Sequence, residues 1–159
     1  MEPQMTGSAV PAEMWAAVLG LLTLVALSGG RAASAAELTN DQLCAALTAQ
    51  EVNAITGGER KAIPHKIFGC KYQHPTEPNI YLKNSSALTE QEYIERSRNL
   101  EGEVRREPGG IVLVSFAFDI QKQKISEAWF QLRGTPVQLG FSGGIEPEKA
   151  LALIRAARN

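Results

Sequence analysis

The sequence predicts an α+β fold: an antiparallel sheet of about five to six strands with helices packed on it, an α/β/α sandwich. Three observations lead there. Apolar residues recur with the helical period over 41–55, 90–100 and 147–158. Between and after the first of these stretches they recur with a period of two, most strongly between 111 and 141. Short runs of turn residues join the extended stretches, as antiparallel hairpins require.

The helical starts carry a common signal. Leu38–Leu43, Leu47–Val52 and Leu88–Tyr93 each read apolar–Thr–x–x–Gln/Glu–apolar. The Thr hydroxyl can accept the backbone N–H three residues on, the Gln or Glu can reach back, and the apolar pair closes as a staple. This predicts a short helical turn near 41–47 and a second helix near 49–55, stopped by Gly57-Gly58. A third helix follows near 90–100, with Tyr93, Ile94, Ser97 and Leu100 inward and Glu92, Glu95, Arg96 and Arg98 solvated. No fixed period joins the three starts, so they are not solenoid repeats.

Gly57–Lys61 reads as a cap followed by a solvated loop. Phe68, Cys70 and Tyr72 then alternate with Gly69, Lys71 and Gln73 as a half-buried strand, and Ile80 and Leu82 alternate with Tyr81 and Lys83. Val104-Arg105-Arg106 leads into a Pro108-Gly109-Gly110 turn. Ile111–Ile120 is apolar on both faces, the mark of a central strand with helices on two sides. Gln121–Lys124 is a polar hairpin loop before a strand over Ile125–Leu132, with Ala128, Phe130 and Leu132 on one face and Trp129 on the other. Val137, Leu139 and Phe141 form a last strand that Ser142-Gly143-Gly144 ends. Pro147 opens the final helix, whose buried stripe is Ala150, Leu153, Ile154 and Ala157.

The first 36 residues read differently. Met14–Ser28 is an apolar run, too short for a bilayer span of about 20 residues and of the length of a signal-peptide core. Gly29-Gly30 and the small residues Ala32–Ala36 follow, permitting cleavage after Ala35 or Ala36. The expected organisation is a signal peptide over 1–36 and one domain over 37–159, periplasmic or secreted, with no stable membrane span after cleavage. Residues 1–13 contain Glu2 and Glu13 and no Lys or Arg, so either synthesis starts at Met14 or the amino terminus supplies the charge. The alternative is an uncleaved N-terminal membrane anchor.

Residues 1–36 hold Glu2, Glu13 and Arg31, so the remaining chain keeps 15 of the 17 acidic and 15 of the 16 basic side chains. Such balance offers nucleic acid no electrostatic footprint and anionic lipid no polybasic tract. Two cysteines, Cys44 and Cys70, remain, and in an oxidising compartment two cysteines pair. The loop they close gives about 3.5 kcal/mol in the chain-entropy model. A catalytic or metal-binding thiol pair would want a C-x-x-C spacing or a nearby His cluster, and the chain has neither.

Catalytic patterns are thin. His65 and His74 flank one strand, about 30 Å apart if it is extended, which is too far to share a metal. No Gly-x-Ser-x-Gly elbow accompanies them. Gly143-Gly144 precedes a helix start where N–H groups could hold an anion, but Glu146 and Glu148 occupy that start. Gly57-Gly58 and Gly109-Gly110 read as turns. Arg105-Arg106 and Lys122 with Lys124 read as a solvated edge. Tyr81 and Trp129 can share one sheet face, either as an exposed interaction patch or as core beneath a helix.

Leu43-Cys44-Ala45-Ala46-Leu47-Thr48-Ala49-Gln50-Glu51-Val52, then Gly57-Gly58 and Gly69-Cys70-Lys71-Tyr72, resembles a family of small secreted or lipid-anchored proteins common in actinobacteria, grouped as a domain of unknown function. The match covers about 30 residues explicitly. It implies a PsbP-like fold and an envelope or secreted location, with no activity attached. The lipid-bearing Cys of that family has no counterpart after the apolar run here.

The expected function is a non-enzymatic extracytoplasmic module that takes a protein partner or a small apolar ligand, with no cofactor or metal. Two alternatives stand beside it. One is a secreted enzyme inhibitor presenting loop 73–79 or 121–124. The other is an extracytoplasmic hydrolase built on Asp119, His65 or His74.

Overall fold

Thr39 and Thr48 start the first two helices in the way their spacing requires. Thr39 Oγ1 accepts the Gln42 N–H at 3.2 Å while Gln42 Oε1 accepts the Thr39 N–H at 2.8 Å. Thr48 and Glu51 repeat the exchange at 3.3 and 2.8 Å. The resulting helices are α1, Asn40–Ala46, and α2, Ala49–Thr56. The third start forms only in part: Thr89 accepts from Glu92 N–H at 3.2 Å, but the Glu92 carboxylate takes the Leu88 N–H at 2.9 Å. It still opens α3, Glu90–Asn99, which buries Tyr93, Ile94 and Ser97. Leu100, expected inward, lies beyond its end and is exposed.

The computed structural model describes residues 36–159. The proposed signal peptide, or anchor, lies outside the described residues apart from Ala36. Among the described residues no helix is long and apolar enough to cross a membrane.

The strands are β1 Lys61–His65, β2 Gly69–Gln73, β3 Ile80–Asn84, β4 Glu103–Glu107, β5 Ile111–Ser115, β6 Ile125–Leu132 and β7 Thr135–Ile145; α4 is Ala117–Gln121 and α5 is Pro147–Arg158. They form one open antiparallel sheet in the order β1-β2-β3-β7-β6-β5-β4. Seven strands exceed the expected five to six because both edges are strands. KAIPH at β1 and EVRRE at β4 each pair on one side only and bury almost nothing, so their apolar period is faint.

The extended run expected over 111–120 breaks at Ser115. Phe116 gives its N–H to Ser126 Oγ at 2.8 Å, and that hydroxyl donates to Asp119 Oδ2 at 2.6 Å. The chain then turns into α4. At the same end of the sheet, Ser142-Gly143-Gly144 does not end β7. Ile125 pairs Ile145 while Glu127 pairs Gly140, so Phe141–Gly144 bulge out against Ser126 alone.

Each face of the sheet has its own apolar layer. Cys70, Tyr72, Leu82, Leu113, Phe130 and Leu139 point to one face, where Leu43, Leu47 and Val52 of the α1–α2 region and Leu153 and Ile154 of α5 cover them. Val112, Val114 and Trp129 point to the other, beneath Tyr93 and Ile94 of α3. Helices on both faces are thus present, as two-sided burial of β5 requires.

Cys44 and Cys70 are joined, their Cα atoms 5.0 Å apart, which ties α1 to β2. Disulfides persist in oxidising compartments, so the bond points to an extracellular setting.

Candidate interaction surface

Strand register puts Tyr81 and Trp129 on one face. Tyr81 stands opposite Gly140, which stands opposite Glu127; Lys83 stands opposite Gln138, which stands opposite Trp129. The two aromatics nevertheless have different fates. Trp129 is 2% exposed beneath α3. Its indole N–H donates to the Ala87 carbonyl at 3.1 Å, and Tyr93 stacks on it with centroids 6.3 Å apart. Trp129 is therefore core. Tyr81 is half-buried on the part of the face that lies beyond α3.

That part spans β1, β2 and β3. α3 packs on β4, β5 and β6, and α1 packs on the opposite face of β1–β3. Among the described residues no helix covers the Tyr81 side of the first three strands. Alternation places Lys61, Ile63 and His65 of β1, Lys71 and Gln73 of β2, and Tyr81 and Lys83 of β3 there. Phe68, expected to share the face of Cys70 and Tyr72, sits in the β1–β2 turn instead. Its ring folds over to Tyr81, centroids 4.9 Å apart, and to His65 at 4.8 Å. His65 Nδ1 accepts the N–H groups of Ile67 and Phe68 at 3.2 and 3.3 Å, which holds the turn in that shape.

Ile63 and Phe68 keep 39% and 38% of their surface, and Ile67 at the tip keeps 73%. Gly140 leaves a recess beside Tyr81: a Cβ there would meet only Tyr81 Cδ2, at 3.9 Å. The recess belongs to a depression of about 230 Å³ lined by Phe68, Tyr81, Lys83, Glu127, Gln138 and Gly140. A second, shallow one of about 620 Å³ lies over Lys61, Ile63, Gln73 and His74.

The border with α3 is polar. Glu127 Oε1 accepts the Tyr93 hydroxyl at 2.7 Å, and Gln138 Nε2 donates to the other carboxylate oxygen. Burial, then the Glu127 carboxylate, pushes the Tyr93 phenol far above its ordinary value, so it stays a donor.

A separate cleft of about 320 Å³ lies between the β2–β3 loop, the β7 bulge and the start of α5. Arg60, 7% exposed, spans it: Nη1 donates to Thr56 Oγ1 and Gly57 O at 2.9 and 2.8 Å, and Nη2 pairs Glu77 at 2.5 Å. Lys124 and Lys149 sit 3.9 and 3.5 Å from Glu146. The backbone N–H of Glu146, then Lys149 and Lys124, hold the Glu146 carboxyl below its ordinary value, so a carboxylate already occupies the positive end of α5. The charges of this cleft are paired from within, while the buried Arg60 Nε and Asn79 Oδ1 have no hydrogen-bond partner among the described residues.

The groups considered for hydrolysis stand apart. Asp119 accepts from Ser126 in the β5–β6 connection. His65 ends β1 at one end of the β1–β2 hairpin, and His74 follows β2 at the other, with its Nδ1 accepting the Glu77 N–H at 2.9 Å. Among the described residues no group of three His, Cys, Asp or Glu is placed to hold a metal. Loop 73–79 is strapped by the Arg60–Glu77 pair, and Gln121–Lys124 is the end of α4 and its exit turn, not a plain hairpin loop.

Sequence reasoning reached Tyr81 but missed Ile63, Phe68, Lys71, Lys83 and Gly140 around it. One signal was available: between Lys61 and Asn84 the only carboxylate is Glu77. No family model, curated protein or solved structure matches this chain.

Proposed function

We propose that the protein is an exported, non-enzymatic module that binds a protein partner on the open side of β1–β3. One observation carries this: an aromatic cluster of exposed Phe68 with half-buried Tyr81 and His65, and Ile63 beside it, lies on a sheet face that the described helices leave clear. The surface is broad and shallow, which suits a protein better than a small apolar ligand needing an enclosing cavity. The disulfide supports an extracytoplasmic setting. A cleaved signal peptide over 1–36, periplasmic or secreted location and a PsbP-like assignment of the α/β/α sandwich belong to the same reading.

The test is a photo-crosslinking residue at position 81 in the producing cells, with Arg155 on the exposed side of α5 as the control position. A discrete adduct with another polypeptide from position 81 alone, lost when Gly140→Val fills the recess, is the expected result. Equal labelling from both positions, or an adduct indifferent to Gly140→Val, removes this surface from consideration.

A further inference from the structure

Resting on the reading of β1–β3 as a docking face, we infer that its partner is an acidic protein segment carrying an apolar side chain between carboxylates. The near-zero net charge of the domain hides a local excess of base. β1, β2, β3 and the β1–β2 turn contain Lys61, Lys66, Lys71 and Lys83 and no Asp or Glu. None of these four lysines makes an ion pair among the described residues. Elsewhere the signs are mixed: α3 and β4 carry Glu90, Glu92, Glu95, Glu103 and Glu107 among Arg96, Arg98, Arg105 and Arg106, with Glu90 and Glu107 paired to arginines.

The lysines that matter frame the aromatic cluster. Lys71 stands opposite Tyr81 on the neighbouring strand, and Lys83 lies two residues beyond Tyr81 on the same face. That sets one ammonium stem about 5 Å and the other about 7 Å from the Tyr81 backbone, in different directions. Both are half-buried, as lysines are that lay their stems along apolar surface and leave the charge to solvent. An apolar side chain seated over Gly140 against Tyr81 would bring flanking carboxylates within reach of Lys71 and Lys83. The one acid bordering the recess, Glu127, already accepts from Tyr93 and Gln138. Complementary charge of this kind chooses the partner and speeds encounter more than it adds affinity. Simple strand addition at β1 is disfavoured, because Pro64 removes a donor from that edge.

The experiment selects 12-residue peptides from a random display library on the purified full chain, and repeats the selection on a Lys71→Glu/Lys83→Glu variant and on Gly140→Val. All three proteins are checked for the same melting behaviour first. The expected winners on the native chain carry two or more Asp or Glu around an apolar residue. They bind the charge-reversed protein about tenfold or more weakly, lose binding to Gly140→Val, and weaken as salt rises from 50 to about 300 mM. Neutral or basic winners that still fail on Gly140→Val overturn the acidic partner while leaving the docking face standing. Winners indifferent to Gly140→Val overturn both. If no peptide is enriched, phosphatidylglycerol vesicles are offered: sedimentation that charge reversal abolishes assigns the lysines to lipid and overturns the proposal, and no binding to either probe overturns it as well.

Discussion

The hydroxyl of Tyr72, two residues past Cys70, donates at 2.5 Å to the backbone carbonyl of Leu47, which lies inside the loop that the Cys44–Cys70 bond closes. The carbonyl belongs to the first of the two residues between α1 and α2, where the helical ladder has no donor to offer it. A fully buried phenol on β2 therefore supplies the donor that lets two short helices meet at a sharp corner. Tyr72→Phe keeps the ring and strands a buried acceptor. It should cost about 1–3 kcal/mol in urea unfolding, and a loss below a few tenths would mean that water satisfies Leu47.

The same burial makes the protein sensitive to alkali. Desolvation, with the Glu51 charge next, raises the Tyr72 phenol well above its ordinary 10.0. Desolvation and Glu127 do the same to Tyr93. A folded-state value above the unfolded one means the unfolded chain releases its protons first. Stability is then intact below pH of about 10 and falls above it, by about 1.4 kcal/mol per pH unit for each tyrosine. Unfolding midpoints measured from pH 8 to 11.5 should bend downward near 10, and Tyr72→Phe should halve the alkaline slope. A flat profile contradicts the buried phenols.

The disulfide carries a separate prediction. It closes a loop with a sequence separation of 26, worth about 3.5 kcal/mol in the chain-entropy model. Cys44→Ser/Cys70→Ser should lower unfolding free energy by about that amount. Reductant should bring the native chain to the same value and leave the variant unmoved.

What the sequence made legible, and what it did not, divides along a physical line. Thr39/Gln42 and Thr48/Glu51 were readable because a capping box is local, needing four residues and no knowledge of the rest of the chain. β5 and β6 were readable because burial on both faces writes long apolar runs. β1 and β4 carry a single exposed or half-buried apolar residue on each face at most, and an edge strand's identity lies in its neighbour's hydrogen bonds. The end of β5 depended on Ser126, ten positions beyond Phe116, which captures its N–H, and on Asp119, three positions beyond, which accepts the Ser126 hydroxyl. The candidate surface failed for a related reason. Periodicity set Tyr81 and Trp129 on one face, but which of them α3 would cover is decided by where a helix between β3 and β4 comes to rest.

Gly69 tests the close packing around the disulfide. Its φ is +70°, and an added Cβ would lie 2.4 Å from the Leu82 carbonyl oxygen and 2.8 Å from Lys83 Cα. Both are backbone atoms of the paired strand and cannot swing aside. Gly110 has a similar φ of +67° with nothing within 4 Å of the built Cβ. Gly110→Ala should cost only the conformational term, about 1–2 kcal/mol. Gly69→Ala adds an overpacking term of about 1–3 kcal/mol. Equal losses at the two positions would mean that β2 and β3 separate easily.

Trp129 and Tyr81 give the sharpest separation between core and surface, since they share a sheet face and differ only in what lies above them. Trp129→Ala removes an indole packed between α3 and β5 and leaves the Ala87 carbonyl without its donor. It should destabilise by about 3–5 kcal/mol. Tyr81→Ala removes a half-buried ring whose hydroxyl makes no hydrogen bond among the described residues, and should cost about 1 kcal/mol or less. Partner binding should rank the opposite way once measured below the melting point of each variant. The truncated Tyr81 protein should be folded and weak, and a Trp129→Phe protein, which keeps an aromatic beneath α3, should bind like the native chain. If Trp129→Phe loses binding while staying folded and Tyr81→Ala does not, the functional face is the one under and around α3, and the open strands β1–β3 are only scaffold.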